Sequence, residues 1–296
     1  MIKKPLLSIP EELILDRLRF ENPWWVSGFV DEDYRSMQAR LYFDSFYELV
    51  VERAVKRAVV LMGPRRVGKT VMMYHVVEKL LRSGVDRRKI VFISIDNPIY
   101  LYMGLDNLFA LARKALGNEE LKDWYIFFDE IQYLKDWEIH LKVLVDSYRH
   151  NKFIVSGSAA AALKLKSAES GAGRFTEFML PPLTFREYIR LKDYENLVSP
   201  YKSEGQSAPF YASPHLKELN RHFIDYINFG GYPEVVLSEK MQSNPGRYIK
   251  SDIIDKVLLR DLPSLYGVQD VQELNAFFGY LALSFFSAWY LQGLWA

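Results

Sequence analysis

Eight consecutive residues, Gly63-Pro64-Arg65-Arg66-Val67-Gly68-Lys69-Thr70, fill the pattern GxxxxGKT. A run of this kind is a phosphate cradle. Its glycines let the backbone turn so that successive N–H groups face inward, and the helix that follows aims its positive end at the same point. The Lys69 ammonium suits β- and γ-phosphate charge, the Thr70 hydroxyl suits Mg²⁺, and Val71 carries the cradle into the helix. A second cluster sits in Trp124-Tyr125-Ile126-Phe127-Phe128-Asp129-Glu130-Ile131-Gln132. Asp129 closes an apolar run and can hold Mg²⁺ through water. Glu130 beside it can orient or deprotonate an attacking water. Chemistry on a γ-phosphate asks for positioning and charge neutralisation rather than a covalent group. A phosphoryl-transfer kinase would not need the adjacent glutamate. Guanine reading is disfavoured, because Asn151-Lys152 is followed by Phe153-Ile154 with no aspartate.

These residues need elements to position them. Residues 58–62, 90–96, 124–128 and 152–156 are short apolar runs that predict buried strands, and helical stretches near 69–81, 105–116 and 137–148 separate them. That βα rhythm predicts an α/β fold, a three-layer sheet domain with mostly parallel strands. Right-handed crossovers would bring the strand ends to one edge with the phosphate loop. Because 90–96 falls between the loop and the acidic strand, the branch with an additional strand is expected, with Ser156 or Ser158 as a polar sensor at the end of the next strand.

Upstream, residues 10–19 and 36–55 read as helices. Trp24 and Trp25 read as anchors fastening an N-terminal arm, with a ligand platform as the alternative. Downstream, the small and polar stretch 159–173 reads as a mobile connection near the site. Phe178 to Pro182 reads as a turn-prone junction and 193–212 as irregular. Thr184 and Glu187 form a capping-box pattern, and further helices are expected at 214–228 and 246–261. The domain reading is an arm at 1–35, the phosphate-loop core at 36–180, a smaller helical, lid-like domain at 181–265, and an apolar segment at 266–296.

Composition narrows the rest. Charged residues make up 25% and hydrophobic ones 49%, an ordinary folded mix. The formal net charge of +1 supplies no global attraction to nucleic acid. The absence of cysteine rules out disulfides and thiolate metal sites. The N-terminal stretch acquires acidic residues and proline too early for a secretory leader, so the expected location is the cytoplasm. The last 23 residues carry no charge. Their length permits a membrane crossing, but Asn275, Gln292, Gly293 and the lack of a basic flank argue for a helix that packs against protein instead.

In this order and spacing, GPRRVGKT, FFDEIQ, SGSA, GRF, LPPLTFREY and GGYPEVV resemble the archaeal and bacterial AAA-type ATPases in which a phosphate-loop domain is joined to a domain of unknown function. The likeness covers residues 35–265. It implies ATP and Mg²⁺ as ligands, ATP hydrolysis driving movement of the helical domain, and a C-terminal winged helix. It assigns Lys69 and Thr70 to triphosphate and metal, and Asp129 and Glu130 to magnesium and catalytic water. Arg174 becomes an arginine finger or sensor, with a salt bridge at the domain junction as its alternative, and Gly230 to Glu234 a helical-domain signature. Ala159 stands where the family often has a further serine, so Ser156 and Ser158 both remain sensor candidates. Members of this kind run further than residue 296, so a truncated chain is expected, with DNA as a partner chiefly through the winged helix beyond it. Arg65 and Arg66 are read either as solvated or as meeting a neighbouring subunit or acidic partner. Self-association and a protein client are the remaining partner expectations. A nucleotide-gated binding switch with little turnover is the alternative function.

Overall fold

The computed structural model describes residues 9–100, 103–118, 120–158, 173–201, 210–263 and 267–293. Five parallel strands make the central sheet: β1 (Ala58–Gly63), β2 (Ile90–Ser94), β3 (Tyr125–Asp129), β4 (Lys152–Ser158) and β5 (Phe175–Met179), in the spatial order β2-β3-β4-β1-β5. Every residue of β1, β3 and β4 is buried, as expected of parallel strands covered on both faces. The three-layer α/β fold is therefore as anticipated, and β4 is the additional strand between the loop strand β1 and the acidic strand β3.

The register fixes what lies at the carboxyl edge. Gly63 pairs with Ser158, Ser94 pairs with Asp129, and Phe128 pairs with Val155. Four strand ends thus deliver a glycine, two serines and an aspartate to one line.

Helices α1 (Glu11–Glu21), α2 (Trp24–Ser27), α3 (Glu32–Arg35) and α4 (Phe43–Val51) precede β1. The arm closes the sheet's β2 edge with side chains. Asn22 donates Nδ2 to Phe92 O and accepts from Phe92 N through Oδ1, at 2.8 and 2.6 Å, as a neighbouring strand would. The indoles of Trp24 and Trp25 both donate to Ile90 O. An open strand edge invites pairing with other chains, and these three side chains occupy it. The two tryptophans are buried anchors.

Helix α5 (Lys69–Arg82) follows the loop and buries Met72, Met73, Val76, Val77 and Leu80. Helices α6 (Leu105–Leu116) and α7 (Trp137–Ser147) complete the cover. Beyond β5, α8 (Phe185–Leu191) begins with the capping box read from Thr184 and Glu187. A small hairpin, β6 (Ser199–Tyr201) with β7 (Phe210–Ala212), precedes α9 (Leu216–Phe229), α10 (Pro233–Leu237) and α11 (Glu239–Gln242). Leu183, Tyr188, Ile189 and Val236 form a small core of their own.

Three local expectations need correction. Residues 175–179 form a strand, although only the junction 178–182 was expected there. Their half-exposed pattern, with Glu177 at the centre, hides an edge strand whose order comes from pairing with β1. Ser199–Tyr201 and Phe210–Ala212, expected to be irregular, pair as antiparallel strands. The helix expected over 36–55 is confined to Phe43–Val51. Residues 159–172, read as a mobile connection, lie outside the described residues.

The chain divides into compact units at residues 1–242 and 243–296. In the second, α12 (Pro245–Ile249) is capped by Asn244, and π-type turns occupy Lys250–Ile254 and Val257–Asp261. Helix α13 (Val271–Gly293) exposes Phe277, Tyr280 and Leu283. Among the described residues, no helix is long and apolar enough to cross a membrane.

Candidate functional site

The cradle depends on two glycines for different reasons. At Gly63 a Cβ would stand 2.3 Å from Leu180 O, so the close approach of the β5 exit admits no side chain. At Gly68 the space is open, but φ is +92°, which an L side chain resists. Arg66 also takes a left-handed conformation, φ +66°. The loop then enters α5 at Lys69, whose Nζ donates to Gly63 O and Pro64 O at 3.1 and 2.9 Å. That ammonium lies inside the curve of the loop.

Thr70 and Asp129 meet across the edge. The threonine hydroxyl donates to Asp129 Oδ2 at 2.7 Å. Ser156 donates to Asp129 Oδ1, while its own oxygen accepts from Glu130 N at 3.1 Å. Asp129 is 2% exposed. Burial and the neighbouring Glu130 charge push its carboxyl up to about 6, against the pull of the two hydroxyls and Lys69. Glu130 has φ +55°, a rare conformation for a residue with a side chain and a local strain of the sort concentrated at working sites.

Sequence reasoning missed Gln132. Its Nε2 donates to Glu130 Oε2, and its Oε1 accepts from Ser158 N at 3.2 Å. The only signal available was its place in the FFDEIQ run. The two sensor candidates differ here. The Ser156 hydroxyl is engaged on both sides, whereas Ser158 Oγ is buried with no hydrogen-bond partner among the described residues.

The other expected residues fall around this line with one exception. Arg65 donates to Tyr133 OH at 3.4 Å, and Arg66 pairs with Glu234 at 2.8 Å. Val71 and Gly68 border an apolar hollow, together with Met37, Leu41, Leu183 and Leu237. Arg174 is the exception. It precedes β5, where its carbonyl accepts from Ala58 N at the start of β1, and its side chain pairs with Asp146. Parallel pairing sets it at the opposite end of the strand from Gly63, six residues or about 20 Å away at about 3.3 Å per residue. Within one chain it does not join the site.

Residues 55–189 match an AAA domain. A domain of unknown function, DUF8612, matches residues 220–287. Uncharacterized protein MJ1544 of Methanocaldococcus jannaschii is 27% identical over 216 residues, spanning 73% of this chain and 44% of its own length. An uncharacterized Haemophilus influenzae protein is 24% identical over 224 residues, spanning 75% of this chain and 50% of its own. The chain therefore spans about half the length of the curated relatives it matches. Among solved structures, the S. cerevisiae Hsp104:casein complex in its extended conformation superposes with a TM-score of 0.45 at 17% identity, covering 83% of this chain and 47% of that one. The AAA match starts just ahead of β1 and ends within α8, so it contains the whole carboxyl edge of the sheet.

Proposed function

We propose that the chain binds ATP and hydrolyses it with Mg²⁺ at the carboxyl edge of the sheet, using the cycle to move its helical region. The observation that carries this reading is the Thr70–Asp129 contact at 2.7 Å, with Lys69 inside the loop and Glu130 alongside. The donor set fits Mg²⁺: a hydroxyl and a carboxylate oxygen side by side, with no further acidic or histidine cluster required. This cation binds through one or two protein oxygens and completes its shell with phosphate and water. When bound, it would neutralise charge between the β- and γ-phosphates.

The chain's own groups do the rest. Loop N–H groups and Lys69 hold the phosphates, and Thr70 and Asp129 hold the metal. Glu130 takes the water's proton or aligns it for attack. Ser158, with its unengaged hydroxyl, is the better candidate to sense the γ-phosphate. The hollow beside Gly68 and Val71 is apolar and suits a purine. A protein load, a second copy of the chain included, is favoured over DNA by the near-neutral charge.

A slow nucleotide-gated switch is the second reading, because Gln132 already holds the Glu130 carboxylate. A phosphate-release assay separates the two. Wild-type chain should release phosphate with Mg²⁺, and Glu130→Gln should bind ATP equally while turning over roughly 100-fold slower or worse. Equal release by both proteins sinks the role of Glu130. No release by wild type leaves the switch.

A further inference from the structure

A buried ion pair next to the hollow has no part in the phosphate chemistry. The side chains of Arg40 and Glu187 are 8% and 4% exposed, and they meet at 2.7 Å. Arg40 directs Nε and Nη2 to the carboxylate, at 2.7 and 3.0 Å. Its Nη1 donates to Val67 O at 2.6 Å and its Nη2 to Pro181 O at 2.9 Å. Glu187 also accepts from Leu41 N and Thr184 N, each at 3.0 Å, and from Thr184 Oγ1 at 3.2 Å. One guanidinium therefore joins four segments: the stretch before α4, the phosphate loop, the bend after β5, and the first turn of α8.

Net stability is a weak reason for such a pair, since desolvating two charges offsets most of their attraction. Geometry is a stronger one. The planar fork of arginine can satisfy several acceptors at fixed angles, and no other side chain spans this set. Val67 is the loop residue before Gly68, so its carbonyl turns with the peptide whose N–H faces the cradle. The neighbouring Arg66–Glu234 pair runs from the loop to α10, but its members are 40% and 44% exposed, where such contacts contribute little.

We infer that Arg40 and Glu187 are positioning residues that transmit the filling of the phosphate loop to α8. The inference rests on the reading that the loop takes a nucleoside triphosphate. Filling the cradle draws the loop N–H groups toward phosphate oxygens. The Val67 carbonyl shifts with them, Arg40 follows its acceptor, and Glu187 carries the change to the helix that it caps. Coupling of this kind requires the filled and empty loop to hold Arg40 differently.

Hydrogen exchange on the full chain tests this, with Mg²⁺ and saturating adenylyl imidodiphosphate after a binding titration. In wild type the analogue should slow exchange at residues 63–72 and also at 185–191. Arg40→Lys keeps the charge and loses the fork, whereas Glu187→Gln keeps the shape and loses the charge. Each should bind the analogue about tenfold more weakly, the scale of one charge-assisted hydrogen bond. At saturation each should still slow exchange at 63–72 while losing the effect at 185–191. The two variants cover each other should one fail to fold. A merely structural role would speed exchange at 185–191 equally with and without analogue and leave the nucleotide-dependent difference intact. That result overturns the coupling, as does a wild type whose filled loop leaves 185–191 unchanged. A wild type that binds no analogue overturns the ATP reading itself, and the inference with it.

Discussion

The two edges of the central sheet each bury an ionisable group, and they treat it in opposite ways. At the carboxyl edge, Asp129 faces two hydroxyls and the start of α5, with Glu130 adjacent. At the amino edge, Lys152 is 5% exposed and donates to Glu52 O at 2.8 Å. Nearby, Arg53 lies 4.4 Å from the Tyr125 ring centroid and donates to His150 O at 3.0 Å, and Arg174 pairs with Asp146. Cations at the amino edge are thus met by carbonyls, an aromatic face and a carboxylate. At the carboxyl edge, the partners are two hydroxyls at the start of α5 and the end of β4, which can turn to a phosphate or a metal. The contrast follows from parallel topology. Loops leaving the carboxyl ends run into helix N-termini, where unpaired N–H groups favour anions, whereas the amino ends receive helix C-termini. A buried charge alone does not mark a working site. Its partners do.

The sharpest way to break this comparison is to neutralise the acid. Asp129→Asn should lower turnover roughly 100-fold or more, the scale of deleting one preorganised polar group from such a site. The same change should raise the melting temperature of the nucleotide-free protein by a few degrees. The sign follows from the carboxyl's rise to about 6 on folding: its stabilising contribution is full below the unfolded value and is lost as pH rises through about 6. Wild-type stability without ligand should therefore increase as pH falls from 7 toward 4, while Mg²⁺-dependent nucleotide binding weakens over the same window. Calorimetry and binding titrations across that range check both trends. Parallel trends would show that the acid does not serve the metal.

The amino edge should respond with the opposite dependence and no change in chemistry. Burial first, then Arg53 and Lys56, lowers Lys152 to about 8. The folded state gives up this proton before the unfolded state does, so stability should rise between pH 8 and 10. Lys152→Met should flatten that rise in urea midpoints measured at both ends of the window and leave phosphate release as in wild type. A slope unchanged by the substitution would assign the rise to another group.

The smallest effect is expected at Arg174. Arg174→Ala removes an exposed pair, worth about 0.5 kcal/mol or less, and should change turnover by less than twofold. A tenfold loss, dependent on protein concentration, would instead show that the residue serves the site of a second copy.

Much of the carboxyl edge was legible because local chemistry dictates it. An apolar run ending in Gly63 and a GxxxxGKT loop leave few alternatives, and another apolar run ending in Asp129-Glu130 predicts an acidic strand end. The capping box at Thr184 and Glu187 was equally local, and the structure contains it. What escaped was contact between distant segments. Strand β5 has a weak pattern because half of its surface is open, and β1 supplies its order. Gln132 looked like one more polar residue until its two ends met Glu130 and Ser158 N. Arg174 was a finger or sensor candidate only by resemblance, and one strand length separates it from the loop.

By itself, then, the sequence determined the loop, the acidic strand end, the βα alternation and the helix caps, since each rests on interactions among residues a few positions apart. Only the tertiary structure decided which sensor-candidate serine hydroxyl is left unengaged among the described residues, which edge Arg174 joins, and that Arg40 meets Glu187 across 147 positions. Those outcomes depend on strand order and register. They arise when apolar strands are buried together, and spacing along the chain does not record which side chains that burial brings into contact.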